Sequence, residues 1–295
     1  QINFADYSKL AGDWQQTQSL YDLDGDEDID FNDLRVFAEN WLAPPPSYPG
    51  YELVWSDEFY GSRINYENWS HQLGDGTAYG LPAGWGNNER EYYTPRPENS
   101  YVSNGNLVIV ARQESYQGAS YTSARLRSFA KQDFLYGKIE ARIKLPGTQG
   151  IWPAFWMLPT DWEYGGWAAS GEIDIVESTN IADTIHGTIH YGGQWPSNTS
   201  SGGSYSDGND FSDDFHTYAI EWEPTRIRWY IDEQLYHTET SWWSSGGSYP
   251  APFNKPFHIL LNVAVGGNWP GDPNESSTFP QQMLIDYVRL YEKIP

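Results

Sequence analysis

Lys138-Ile139-Glu140-Ala141-Arg142-Ile143-Lys144-Leu145 alternates charged and apolar side chains over eight residues. Successive side chains of an extended chain point to opposite faces. This stretch therefore reads as a half-buried antiparallel strand with Ile139, Ala141, Ile143 and Leu145 inward. Arg226-Ile227-Arg228-Trp229-Tyr230-Ile231 repeats the pattern. Further alternating or apolar runs fall at 53–59, 106–114, 122–129, 151–158, 172–178, 185–191, 216–222, 257–265 and 283–292, separated by clusters of Gly, Pro, Asn and Asp. No long amphipathic helical pattern interrupts them. Many short strands without crossover helices make an all-β fold, either a two-sheet sandwich or a closed barrel. Segment 192–214, rich in Gly, Ser and Asn, reads as a surface loop.

The 295 residues carry 40 Asp and Glu against 17 Lys and Arg, a net charge of −23. A polyanion of this kind repels nucleic acid and anionic membrane surfaces, so neither is an expected partner. The chain has no cysteine, which removes disulfides, thiolate metal sites and cysteine nucleophiles. No apolar run reaches the roughly 18 residues of a membrane helix, and no signal peptide is read in the given chain. Aromatic residues make up 17% of the chain, with 15 Trp and 22 Tyr. Such rings either fill a core or stack on sugars.

Pro44, Pro45, Pro46 and Pro49 exclude helix from residues 44–50 and mark an extended linker. They divide an N-terminal module, 1–43, from a main domain, 51–295. The module holds ten acids against Lys9 and Arg35, and its Ile2-Asn3-Phe4-Ala5-Asp6 recurs 27 residues later as Ile29-Asp30-Phe31-Asn32-Asp33. Asp22, Asp24, Asp26, Asp28, Asp30 and Asp33 stand at positions 1, 3, 5, 7, 9 and 12 of a twelve-residue loop, which is calcium spacing, with Asp28 supplying its carbonyl oxygen. Glu27 occupies position 6, where glycine usually permits the sharp turn. In the first copy, positions 1, 3 and 5 would precede Gln1 and leave only Asn3 and Asp6. One calcium site is expected here, not two.

Gly171-Glu172-Ile173-Asp174-Ile175-Val176-Glu177-Ser178 concentrates three acids in six residues. Regular alternation puts Glu172 and Asp174 on one face and Ile173 and Ile175 on the other, but sends Glu177 into the core. A β-bulge at Ile175-Val176 resets the parity and turns all three acids to one side. Carboxylates crowded on one face are held by a cation or by bound protons. When protons hold them, the set titrates as a coupled unit and one member stays protonated near neutrality. A protonated carboxyl beside an ionised one is what hydrolysis of a glycosidic bond with retention requires. Trp152 and Trp156 share a strand face and serve either as a sugar platform or as core. His190 falls on the next strand, within reach of Glu177 or of a sugar hydroxyl.

The run Glu172-Ile173-Asp174-Ile175-Val176-Glu177 resembles the active-site strand of glycoside hydrolase family 16. Trp152-Pro153-Ala154-Phe155-Trp156-Met157-Leu158, Gly187-Thr188-Ile189-His190-Tyr191, Gly86-Asn87-Asn88-Glu89 with Tyr92-Tyr93, Tyr121-Thr122-Ser123-Ala124-Arg125 and Gly266-Gly267-Asn268-Trp269-Pro270-Gly271 extend the resemblance to the laminarinase branch over about 51–295. It implies a jelly-roll β-sandwich with an open concave cleft. Within that cleft it implies Glu172 as nucleophile, Asp174 hydrogen-bonded to it and Glu177 as acid/base. It implies Asn88, Glu89, Arg125, Trp152, Trp156, Trp167, His190 and Trp269 as contacts to a β-1,3-glucan, cleaved in an endo manner without a metal in the chemistry. A structural calcium on the convex face is implied at Glu58, Gly105 and Asp286, largely through backbone oxygens. The 22–33 loop with the helix ending Phe37-Ala38-Glu39-Asn40-Trp41-Leu42 resembles a dockerin repeat, which implies a cohesin-like protein partner. Together these make a secreted, monomeric glucanase the expectation, with a mixed-linkage glucan or a marine galactan as the alternative substrate. A non-catalytic glucan-binding protein is the rival of a different class.

Overall fold

The computed structural model describes residues 47–294 together with Asp30, Phe31 and Leu34. Seventeen strands run along the described residues: β1 (Tyr51–Asp57), β2 (Ser70–Gln72), β3 (Glu91–Tyr93), β4 (Ser100–Ser103), β5 (Asn106–Tyr116), β6 (Ala119–Ser123), β7 (Arg125–Arg127), β8 (Gly137–Lys144), β9 (Ile151–Pro159), β10 (Glu172–Glu177), β11 (Ile185–Gly192), β12 (Asn198–Tyr205), β13 (His216–Glu223), β14 (Arg226–Ile231), β15 (Gln234–Glu239), β16 (Phe257–Val265) and β17 (Gln281–Lys293). A ten-stranded sheet has the order β15-β14-β13-β8-β17-β5-β6-β3, with β1 also on β17 and β4 also on β5. A seven-stranded sheet has the order β12-β11-β10-β9-β16-β7-β2. All pairings are antiparallel except β3 with β6. Among the described residues no helix is long and apolar enough to cross a membrane.

The two sheets face each other across one core, as the alternation in β8 and β14 requires. Ile139, Ala141 and Ile143 of β8 and Ile227, Trp229 and Ile231 of β14 are buried from one side. Phe155 and Met157 of β9, Ile173 of β10 and Ile259, Leu261 and Val263 of β16 meet them from the other. The sandwich is therefore the realised alternative, and not the closed barrel.

Three expectations change. Residues 198–205, read as loop, form β12: it pairs along the whole of β11 because Gly202 and Gly203 carry no Cβ, which at these positions would lie 2.3 Å from the Gly187 carbonyl and 2.6 Å from the His237 ring. Run 122–129 breaks at Ala124, because β6 stays on β5 in the ten-stranded sheet while β7 crosses to β16 in the other. The polar face of β8 is not solvated at its start. Lys138 and Glu140 are buried under Tyr48 and Tyr291, whose hydroxyls donate to Glu140 Oε2 (2.7 Å) and Oε1 (3.2 Å). Tyr48, placed in the linker by composition, thus docks on the outer face of the ten-stranded sheet.

Of the N-terminal calcium loop, Asp22, Asp24, Asp26, Asp28 and Asp33 lie outside the described residues. At Asp30 the carbonyl accepts from the Leu34 N–H (3.1 Å). On the main domain, both carboxylate oxygens of Glu58 accept from the Arg289 guanidinium (2.8 Å each). Gly105 completes the tight β4–β5 hairpin at φ 72° after Asn104 at φ 53°. Asp286 is buried and accepts from Arg142 Nη1 (3.0 Å). With both carboxylate oxygens of Glu58 already paired to the Arg289 guanidinium, its main-chain oxygen is the better placed to meet a cation.

Candidate active site

The outer face of the seven-stranded sheet carries the three acids. On β10, Glu172 stands opposite His190 and Asp174 opposite Thr188 of β11, then Glu177 stands opposite His186. Against β9, Asp174 pairs with Trp156, Val176 with Phe155 and Glu177 with Ala154. Three steps along β10 match two along each neighbour, so Ile175 is the extra residue of a bulge. Both Ile175 and Val176 are buried in the core. The Asp174 carbonyl accepts from the buried Trp229 indole of the opposite sheet (2.8 Å), which anchors the distorted strand from below. Space for that indole comes from Gly187 on β11, where a Cβ would sit 2.3 Å from Trp229 Cδ1.

Each outer acid is held by a separate indole. Trp167 Nε1 donates to Glu172 Oε2 (2.8 Å), and Trp152 Nε1 donates to Glu177 Oε1 (2.9 Å). His190 Nε2 lies 3.3 Å from Asp174 Oδ2 and 3.7 Å from Glu172 Oε1. Burial, then the charge of Asp174, pushes Glu172 up to about 7, against the pull of His190 and the Trp167 N–H. Glu177 is raised well above the ordinary carboxylate range, again by burial first and Asp174 second. Burial works against a charged His190, yet its bond to Asp174 and the three carboxyls outweigh burial and push it up to about 10. The site near neutrality thus holds an imidazolium, a proton on Glu177 and an ionisable Glu172 with one oxygen already fixed.

The sugar-contact candidates separate into layers. Trp152 meets Trp269 edge-on (5.6 Å, 87°), and Trp269 also caps His186 (5.0 Å). Trp167 lies against His190 (5.5 Å) and the exposed Trp195 (6.3 Å). Arg125, buried, places its guanidinium between Trp156 (4.7 Å) and Trp85 (4.4 Å) while Nε donates to Gln72 (2.7 Å). Asn88 is exposed and donates to Asn268 Oδ1 (2.7 Å), tying its loop to the one bearing Trp269. Glu89 is nearly buried and accepts from Asn87 Nδ2 (3.2 Å) and the Tyr93 hydroxyl (3.4 Å), so it supports the cleft from behind more than it lines it.

Sequence reading passed over Trp85, Tyr93, Asn262 and Trp229. Asn262 accepts from Trp156 Nε1 (2.7 Å) and donates to the Tyr93 hydroxyl (3.1 Å). A polar residue inside the apolar run 257–265 was its one visible signal. Among the described residues, Glu172, Asp174 and His190 are also the group whose donor atoms converge closely enough for a metal ion.

The chain is 41% identical over 269 residues to glucan endo-1,3-beta-glucosidase A1 of Niallia circulans, covering 84% of this chain but 39% of that protein. It is 42% identical over 261 residues to a beta-glucanase of Rhodothermus marinus, covering 82% and 86%. The catalytic domain of an endo-1,3-beta-glucanase (laminarinase) from Thermotoga petrophila superposes with a TM-score of 0.74 at 44% identity, covering 83% of this chain and 99% of that one. The bulged acidic strand and nearly all of its surrounding cleft fall inside residues 87–289, which match the model of glycosyl hydrolases family 16, and the chain belongs to that family.

Proposed function

We propose that the chain hydrolyses internal β-1,3-glucosidic bonds of laminarin-type glucans with retention of anomeric configuration. The observation that carries this reading is the separate anchoring of Glu172 and Glu177 on one bulged strand, where burial favours the protonated form of Glu177. The activities named for the Niallia, Rhodothermus and Thermotoga proteins support the substrate class.

Trp167 occupies Glu172 Oε2, so Oε1 is the attacking oxygen. It bonds to the anomeric carbon while Glu177 passes its proton to the departing glycosidic oxygen. Water then gives a proton back to Glu177 and its hydroxyl to the anomeric carbon, which releases Glu172. The His190 imidazolium favours the ionised Glu172 before attack and again on its release. Retention of both glutamates favours hydrolysis over mere glucan binding.

Glu172→Gln is expected to abolish turnover with the fold intact, and azide to restore part of the activity of Glu177→Ala on a substrate with a good leaving group. Proton NMR of the first product decides the stereochemistry, and an inverted anomer would sink the reading. A hydrolysis screen over laminarin, lichenan, agarose and carrageenan tests the substrate class against the mixed-linkage and galactan alternatives.

Around this core we place a structural calcium on the convex face, held by Asp286 and main-chain oxygens at Glu58 and Gly105. A second calcium in the Asp22–Asp33 loop would order a dockerin-like module for a cohesin-like partner. A secreted monomer is the setting that suits a polysaccharide too large to enter a cell.

A further inference from the structure

Glu91 opens β3 behind the cleft and is 2% exposed. Its Oε2 accepts the Val265 N–H (2.7 Å), while Oε1 is buried and receives no donor. Glu89 lies beside it, close enough for the two side chains to hydrogen bond. Two adjacent buried carboxyls do not both ionise, so one of them carries a proton.

The surrounding donors say which. Trp156 Nε1 donates to Asn262, Asn262 Nδ2 donates to the Tyr93 hydroxyl, and that hydroxyl donates to Glu89. Asn87 donates to Glu89 as well. Every bond of this chain runs toward Glu89, which therefore serves as the acceptor of the pair. The proton belongs on Glu91 Oε1, from where it completes the set of donors around Glu89. Burial and Glu89 both favour that protonated form.

The other charged and titratable neighbours do not compete for this proton. Arg90 is turned outward to Asp272 (2.8 Å), and Arg125 stacks on Trp156. Tyr121 stands opposite Glu91 on β6. Strand β16 contributes the uncharged Asn262 side chain to Tyr93 and the Val265 main chain, whose carbonyl also accepts from Arg90 N (2.7 Å).

We propose that Glu91, as a neutral acid, is a positioning residue that ties both aromatic walls of the cleft to one buried proton. Through Glu89, Tyr93 and Asn262 it holds the Trp156 indole on the cleft floor. Through Val265 it holds the start of the turn that carries Trp269 against Trp152. Ionised Glu91 repels Glu89 and slackens both walls, so glucan affinity falls as pH rises through the raised Glu91 value. The proposal rests on the glucan-hydrolase reading for its ligand, but its proton can be tested without one.

Glu91→Gln keeps the shape, the acceptor for Val265 and a donor for Glu89, and removes the titration. Thermal unfolding of wild type and Glu91→Gln is compared from pH 5 to pH 9. The unfolded chain ionises Glu91 at an ordinary carboxylate value and the folded chain resists it. Wild type is therefore expected to lose Tm relative to the variant as pH rises, from near equality at pH 5. A constant difference would overturn the placement of the proton.

Binding of a β-1,3-linked glucose pentamer is measured by calorimetry in a Glu172→Gln background, where no turnover intervenes. Adding Glu91→Leu is expected to weaken binding about fivefold or more, near 1 kcal/mol, and adding Glu91→Gln to change it less than about twofold. Between pH 6 and pH 9 the Glu172→Gln chain loses affinity more steeply than the Glu172→Gln, Glu91→Gln chain. Equal binding by the leucine and glutamine variants, or parallel pH profiles, would reject the positioning role. Failure of the Glu172→Gln chain to bind any glucan would instead reject the functional reading, with the Tm comparison still deciding the proton.

Discussion

Trp167 and Trp152 each give one indole N–H to one carboxyl, and the two bonds act on opposite sides of the reaction. In the proposed mechanism Glu172 must be ionised and Glu177 protonated, so the acidic limb of kcat/KM belongs to Glu172 and the alkaline limb to Glu177. Trp167→Phe removes a donor that favours the ionised form. Glu172 then rises above about 7, the acidic limb moves to higher pH, and kcat/KM at pH 6 falls about tenfold, roughly 1.4 kcal/mol. Trp152→Phe keeps a ring against Trp269 but frees Glu177 Oε1, so Glu177 holds its proton longer and the alkaline limb moves up. Rate profiles from pH 4 to pH 10 check both shifts; a limb moving the wrong way would reassign the acids. Strand parity placed the three carboxyls on one face from sequence. The indole donors were not readable as such, because Trp167 reaches Glu172 only where the chain folds back before β10.

A bulge on β10 resolves the parity conflict by hiding two consecutive apolar residues, Ile175 and Val176, under one position of β9. Deleting Val176 would leave Glu-Ile-Asp-Ile-Glu, a regular alternation with all three acids still on the cleft face. The Asp174 carbonyl then returns to the ladder and the buried Trp229 N–H loses its acceptor, at about 1–3 kcal/mol, in addition to about 2 kcal/mol for the missing core side chain. The variant is expected to melt several degrees lower, to remain folded by circular dichroism and to give a product of unchanged anomeric configuration. A folded but wholly inactive deletion would show that the bulge sets the carboxyl separation and not only their side. Element existence was legible in β8, β14 and β16. Strands β2, β3, β4, β12 and β15 were not, because short runs of polar or small residues become strands only when a neighbour supplies the ladder.

At the scale of the whole molecule, Tyr48 enters on the outer face of the ten-stranded sheet, and the acids lie on the outer face of the seven-stranded one. Tyr48 therefore docks on the face of the sandwich away from the cleft. Asp24→Ala with Asp33→Ala is expected to lower calcium stoichiometry by one in calorimetry. In the same preparation kcat/KM on laminarin should change less than about threefold, under ~1 kcal/mol. A large loss of activity would mean that this segment supports the catalytic domain directly. The calcium itself is expected through charge: aspartates gathered in one loop repel each other unless a divalent cation offsets them.

Strand class, the bulge at Ile175-Val176 and the shared face of Glu172, Asp174 and Glu177 were set by sequence alone, because side-chain parity along a strand is a local property of an extended backbone. Tertiary structure alone decided that the two sheets close as a sandwich and that Ala124 is where the chain changes sheet. It also decided that Lys138 and Glu140 lie under Tyr48 and Tyr291 rather than in water. The proton on Glu91 belongs to the same class. Its partners Glu89, Tyr93, Asn262 and Val265 come from β3, the loop before it and β16, more than 160 residues apart in the chain. No local pattern records a hydrogen-bond direction that exists only when those segments meet in a dry interior.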